Sequence, residues 1–319
     1  MISEFAKKSH RAVQVKKQIP KILWSIFRFV LFIGLAFIIL QPLIIKFSSS
    51  FKGIIDMYDS SVFLFPKHPT VYNYERVFDY YNYPLRFLNS VLLCVIVGIL
   101  QATSCTLTAY GLARFRYRGC NLVFGMAIFS MIIPTQTVLL PLFLQFEYFS
   151  PITFFTLGFQ LEGISLIGTP IPLILLSLTA SGFKNGLYIF MLRQYFKNLP
   201  TALEEAAYID GCNRLTTFLR IMLPGAVPMI VTIFLFAFVW QWNDYFYSMI
   251  LMPGMNIFTT VFSRVGEAIT RGDGALFDSM QIMLYDSAAM VLHIIPLIVL
   301  YAFTQKFFVQ SIERSGLVG

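Results

Sequence analysis

The sequence predicts an all-α integral membrane protein with six transmembrane helices, and three observations carry that prediction. Of its 319 residues, 57% are hydrophobic and only 13% charged, with a mean hydropathy of +0.71. A soluble domain usually carries about a quarter charged residues. Apolar runs of the length a bilayer requires, about 20 residues, recur along the whole chain. Basic residues gather on alternate connections, as the inner-side bias of Lys and Arg demands. The net charge of +8 therefore reads as a topology signal and not as a nucleic-acid footprint, and no large soluble domain fits.

The first 22 residues form a basic arm. Lys7, Lys8, Arg11, Lys16, Lys17, Lys21 and Arg28 precede or enter the first apolar run, which places the N-terminus in the cytoplasm. That run, Trp24 to Ile45, is long enough to span and so is no cleavable signal peptide. The expected spans are 23–46, 87–112, 121–146, 169–194, 226–252 and 284–308. The segment 47–86 is polar and aromatic and reads as an outside loop with some local helix. Arg114, Arg116 and Arg118 mark the next turn as inside. The third span contains Pro134 and Pro141, which free backbone carbonyls that neighbours or a wet cavity must satisfy. The loop 147–167 has Glu147 and Glu162 and no basic residue, so it lies outside. The fourth span breaks near Ser181-Gly182. The loop 253–283 is outside, and the tail 311–319 ends inside. Cys94, Cys105, Cys120 and Cys212 have no paired spacing and read as structural thiols.

The segment 197–224 is the longest water-tolerant stretch of the C-terminal half. Thr201 and Glu204 have the T-x-x-E spacing of a capping box, which gives Glu204 a local role. A short helix follows to about Ile209. Gly211 then supplies the positive φ of a sharp turn. Asn213 is placed to cap a second helix with Leu215, Phe218, Leu219 and Met222 at helical spacing, and Pro224 closes the segment. The residues alone describe helix, glycine turn, helix on a membrane surface.

The same residues carry a resemblance. Glu205-Ala206-Ala207, then Gly211, then Ile221-x-Leu223-Pro224 resembles the EAA motif of bacterial ABC importer permeases at every fixed position. Leu192-Arg193-Gln194-Tyr195-Phe196 before Leu199-Pro200, Trp242-Asn243-Asp244, and the ending from Lys306 are similar to the maltose-type permeases for oligosaccharides. The resemblance implies the type I ABC importer permease architecture over 23–310, with 197–224 as a cytoplasmic coupling segment. Glu204, Glu205, Ala206, Ala207, Asp210, Gly211, Ile221, Leu223 and Pro224 are its expected ATPase-coupling set. It further implies a second permease subunit forming a heterodimer, two ATP-binding cassette subunits and an extracellular solute-binding protein. ATP and Mg would sit on the ATPase subunits and no cofactor on this chain, which would be a non-catalytic subunit in the lipid of a bacterial plasma membrane. In that family the tail reaches between the ATPase subunits, and the loop 253–283 faces the binding protein.

Charges within spans point to function. Gln241, Asp244 and Ser248 share a helix face by spacing, with Trp240 and Asn243 nearby, and form the expected solute path together with Lys184 beside the break at Gly182. Two bland readings stand beside it. The Trp-Asn-Asp cluster bonds neighbouring helices, or Lys184 snorkels to the outer surface. The abundant phenylalanine is explained by lipid and gives no evidence for sugar. Asp286 and His293 of the last span share a face and are undecided. The reading that results is a permease for a carbohydrate, an oligosaccharide in particular. The alternatives are a permease for another solute such as glycerol phosphate or an organic acid, an ion-coupled secondary transporter, and a membrane-bound enzyme. No phosphate-binding glycine loop with lysine is present. His10, His68 and His293 are scattered, and none has a carboxylate or cysteine at ligand spacing, which gives a metal site or a nucleophile–histidine pair little support.

Overall fold

The computed structural model describes residues 2–150, 163–259, 264–272 and 278–316. Their secondary structure is helical. In chain order it runs α1 (Ile2–Ser50), α2 (Ile54–Tyr58), α3 (Tyr72–Tyr80), α4 (Tyr83–Arg114), α5 (Cys120–Ile132), α6 (Thr135–Glu147), α7 (Ile171–Leu178), α8 (Asn185–Asn198), α9 (Ala202–Ile209) and α10 (Arg214–Thr217). A π-helical turn (Phe218–Met222) leads into α11 (Leu223–Trp242), followed by α12 (Phe246–Leu251), α13 (Val265–Gly272) and α14 (Ser279–Gly316).

Four unbroken helices among the described residues are long and apolar enough to cross a bilayer: Leu23–Ser50, Tyr83–Arg114, Arg214–Trp242 and Ser279–Phe307. The expected third span is not one straight crossing. It is the pair α5 and α6, bent by 104°. Ile133 and Pro134 are extended there, because a residue before proline is pushed out of the helical region. The expected fourth span divides into α7 and α8, with Ser181 and Gly182 inside the break. The fifth also departs from expectation: it starts at Arg214, is continuous through Pro224, and ends at Trp242. Pro224 follows directly on the π-helical turn, inside this continuous helix.

The chain divides into two compact units, Met1–Arg76 with Gly266–Val291, and Val77–Val265 with Leu292–Gly319. In the first, Leu23–Ser50 buries none of its apolar window. The segment after it is folded. Lys52 is buried and its Nζ donates to the carbonyls of Val62 (3.3 Å) and Phe63 (2.9 Å). Asn73 Nδ2 donates to Ser50 O and Lys52 O. The Asp56 carboxylate, 2% exposed, accepts from His68 N–H at 3.0 Å and lies 2.9 Å from His68 Nδ1. Burial pushes the Asp56 pKa up, but these bonds and the Lys67 backbone outweigh it and hold the group below the usual carboxylate range. On α13, a Cβ at Gly266 would stand 2.4 Å from the Ile282 carbonyl, so only glycine allows that approach.

In the second unit, α4 is central and packs on α11, α8 and α7. Small residues of α4, Ala102, Cys105 and Ala109, meet Tyr188, Leu192, Phe196, Phe218, Met222 and Ile233. Small side chains permit the close backbone approach on which membrane helices rely. Gly186 does the same for α8 against α5, where a Cβ would lie 2.3 Å from the Ala127 carbonyl. Phe238, Trp242 and Phe258 form another cluster with Cys94, and Trp242 Nε1 donates to His293 O at 3.2 Å. Cys94 and Cys105 are buried and all four thiols are free.

Candidate functional site

Two places gather the residues singled out by sequence. The first is 197–224. Arg114 Nη2, at the end of α4, donates to Leu199 O at 2.7 Å and so fixes the chain just before α9. Thr201 takes helical dihedrals and makes no side-chain cap. The expected capping box is absent, and Glu204 has a different role. Its Oε1 accepts from Tyr110 OH at 2.9 Å, and its Oε2 is 3.4 Å from Arg114 Nε, at ion-pair distance but without hydrogen-bond alignment. Glu204 is 8% exposed. A buried carboxylate gains more from a phenol and a guanidinium than from one surface N–H. Glu204 therefore ties α9 to α4.

Ala207, one turn on, is also buried, while Glu205, Ala206 and Asp210 are exposed and Ile209 is 86% exposed. The short helix thus has one anchored face and one free face. Gly211 has φ +82°. Cys212 N–H bonds Ala207 O (2.9 Å) and Gly211 N–H bonds Tyr208 O (3.1 Å), which is a Schellman ending. Asn213 caps the next helix, its Oδ1 accepting from Thr216 N–H at 2.8 Å. In the π-helical turn, Leu223 N–H reaches back to Phe218 O. Ile221 and Leu223 pack against the core beside Met222, and Pro224 is exposed. The turn and the Asn213 cap agree with expectation. The break expected at Pro224 does not occur.

The second place is a cleft of about 330 Å³ within the second unit. Five of the six residues expected on the solute path line it: Lys184, Trp240, Gln241, Asn243 and Asp244. Ser248 does not. It is fully buried, and its N–H and Oγ both bond Asp244 Oδ2 at 2.9 Å. The shared face expected of Gln241, Asp244 and Ser248 is lost because α11 stops at Trp242 and Asp244 caps α12. The cleft is built from two helix breaks. At the other one, α7 ends with Ala180 at φ +55° and Ser181 N–H bonded to Leu176 O, and Lys184 follows before α8. Its Nζ lies 4.3 Å from the centre of the Trp240 ring, in the cleft rather than snorkelling. Gln101, Gln136 and Tyr245 also line the cleft. Sequence reading passed over them, although Gln101 and Gln136 are amides within apolar stretches, a signal of the same kind as a buried charge.

Residues 95–314 match the family model described as binding-protein-dependent transport system inner membrane component. The chain belongs to that family. It is therefore an inner membrane permease of the ABC importer kind. The chain is 26% identical over 282 residues, 88% of its length and 92% of the relative's, to the probable starch degradation products transport system permease protein AmyC of Thermoanaerobacterium thermosulfurigenes. It is 28% identical over 297 residues, 92% of its length and 85% of the relative's, to the diacetylchitobiose uptake system permease protein NgcG of Streptomyces coelicolor. Among solved structures it is similar to a chain of a bacterial ABC transporter involved in the import of the acidic polysaccharide alginate. That similarity has a TM-score of 0.70 and 24% identity, and it covers 90% of this chain and 96% of that one.

Proposed function

We propose that this permease is one of two transmembrane subunits of an ATP-driven importer for an oligosaccharide, and that 197–224 couples it to the ATPase. The second permease completes a heterodimer, two ATPase subunits hold ATP and Mg, and an extracellular binding protein delivers the solute. All six expected spans cross the membrane, the divided 121–146 and 169–194 segments included, and both termini are cytoplasmic. Relatives whose names specify starch degradation products, diacetylchitobiose and arabinooligosaccharides support the carbohydrate assignment.

One observation carries the coupling role. The short helix α9 is anchored through Glu204 and leads through Gly211 into a single rod, Arg214–Trp242, of 29 residues. At about 1.5 Å per residue the rod is roughly 43 Å long, and its far end carries Trp240 and Gln241 of the cleft. Force applied to α9 therefore has a continuous path to the solute path. Glu205, Ala206, Asp210 and Ile209 offer the ATPase a free face with small and acidic groups. Gly211→Val tests this. A Cβ there has room, but a left-handed φ costs an L-residue about 1–2 kcal/mol, and a β-branched one more. The variant should reach the membrane in normal amount and lose solute-stimulated ATP hydrolysis and uptake together. Uptake at the wild-type rate would remove the coupling role.

A further inference from the structure

The cleft has an unusual balance of committed and uncommitted groups. Its one lining carboxylate, Asp244, is engaged: Oδ1 accepts from Tyr247 N–H at 3.3 Å, and Oδ2 accepts from Ser248 N–H and Oγ at 2.9 Å. Its one lining cation, Lys184, has the Trp240 ring beneath its ammonium and makes no ion pair or hydrogen bond among the described residues. Asp244 lies beyond ion-pair distance of it. Among the polar atoms of cleft residues, Tyr188 OH and Gln241 Nε2 are buried without a hydrogen-bond partner, and both can donate. An ammonium, a phenol hydroxyl and an amide N–H₂ together await acceptors. A charge at membrane depth normally has a partner or lines a substrate route, and an aromatic face compensates an ammonium only partly.

Resting on the oligosaccharide-importer reading, we propose that this cleft takes an acidic sugar, whose carboxylate pairs with Lys184. A neutral sugar offers the ammonium only hydroxyl acceptors, whereas an acidic sugar adds an opposite charge, and charge-assisted bonds are the stronger ones. A carboxylate accepts from Lys184 and has lone pairs left for the neighbouring donors. Trp240, 51% exposed, offers its ring to the apolar side of the same sugar unit.

The test is isothermal titration of the whole transporter in lipid nanodiscs, without binding protein, against three probes: trigalacturonate, maltotriose and a hexose phosphate. Trigalacturonate should bind, maltotriose should bind at least tenfold more weakly, and the hexose phosphate should not compete. Lys184→Gln should weaken trigalacturonate at least tenfold and maltotriose far less, and Lys184→Arg should restore most of the loss. Equal binding of acidic and neutral trisaccharide, or an unaffected Lys184→Gln, overturns the acidic-sugar assignment while leaving a carbohydrate importer standing. Tighter binding of the hexose phosphate than of either trisaccharide overturns both readings. If Lys184→Gln instead lowers the yield of assembled complex, the lysine pairs with the partner permease and the assignment fails.

Discussion

Adjacent glutamates, Glu204 and Glu205, look interchangeable in sequence and have opposite environments. Glu204 is 8% exposed and holds Tyr110 and Arg114, whereas Glu205 is exposed. Removing one partner of a buried ion pair commonly costs about 3–5 kcal/mol, because the other charge is left buried. A surface substitution usually changes stability by less than about 0.5 kcal/mol. Glu204→Ala should therefore lower the thermal midpoint of the solubilised protein by several degrees, and Glu205→Ala should leave it in place. Co-purification with the ATPase should show the converse, with Glu205→Ala weakening capture in a correctly folded chain. A midpoint unchanged in Glu204→Ala would mean that the tie from α9 to α4 contributes nothing. The pattern T-x-x-E pointed to a local cap because sequence distance was the only distance available. Tyr110 and Arg114 are some ninety positions away, and no spacing rule reaches them. Gly211 and Asn213 were legible for the opposite reason, since a positive φ and an N-cap are set by the residue and its immediate neighbours.

Elements were legible where length and apolarity decide them, as in α1, α4 and α14. They were not where a break decides. Pro134 was seen as a perturbation, but the size of the bend, 104°, depends on what α5 and α6 pack against. Pro224 looked like a terminator and lies inside a continuous rod, because the π-helical turn just before it reroutes the ladder from Leu223 N–H to Phe218 O. Asp244 looked like one member of a helix face and instead caps a new helix, since α11 ends two residues earlier. The folded segment after α1 shows how a few polar bonds stand in for an apolar core. Asp56 is held below its unfolded value of 3.8 by His68 and Lys67 against its burial. A depressed carboxylate stabilises fully above its unfolded pKa, and that stabilisation is lost as pH falls through the lower folded value. The loop 51–70 should thus resist proteolysis at pH 5 and become susceptible only as the pH falls below the unfolded carboxylate value. Asp56→Asn, which keeps the shape and loses the charge, should be susceptible at pH 5 already. Equal cleavage of both proteins from pH 7 to pH 3 would show that the His68–Asp56 bonds do not hold the loop.

At the scale of the molecule, membrane residence and permease family were readable from composition and one motif, while the cleft was readable only in outline. Five of its residues were named from their own chemistry, but Gln101 and Gln136 join them from other helices, and only packing brings these together. The number of crossings rests on the two divided segments, α5 with α6 and α7 with α8, and each divides at a point where polar residues enter the apolar stretch. Orientation follows from the arginines after α4. Arg114, Arg116 and Arg118 stand in a short turn with no acid, and the bias of basic residues predicts that this turn is cytoplasmic. One crossing earlier lies the folded loop with exposed Ser60. Between them the one helix long and apolar enough to cross a bilayer is Tyr83–Arg114, 32 residues and continuous, so the two positions are expected on opposite faces. In a background with Cys94, Cys105, Cys120 and Cys212 replaced by serine or alanine, Ser60→Cys should be labelled in intact cells by an impermeant maleimide. Arg118→Cys should be labelled only after the cells are opened. Labelling of Arg118→Cys alone in intact cells would invert the topology, put 197–224 outside the cell, and remove any possibility that this segment meets an ATPase.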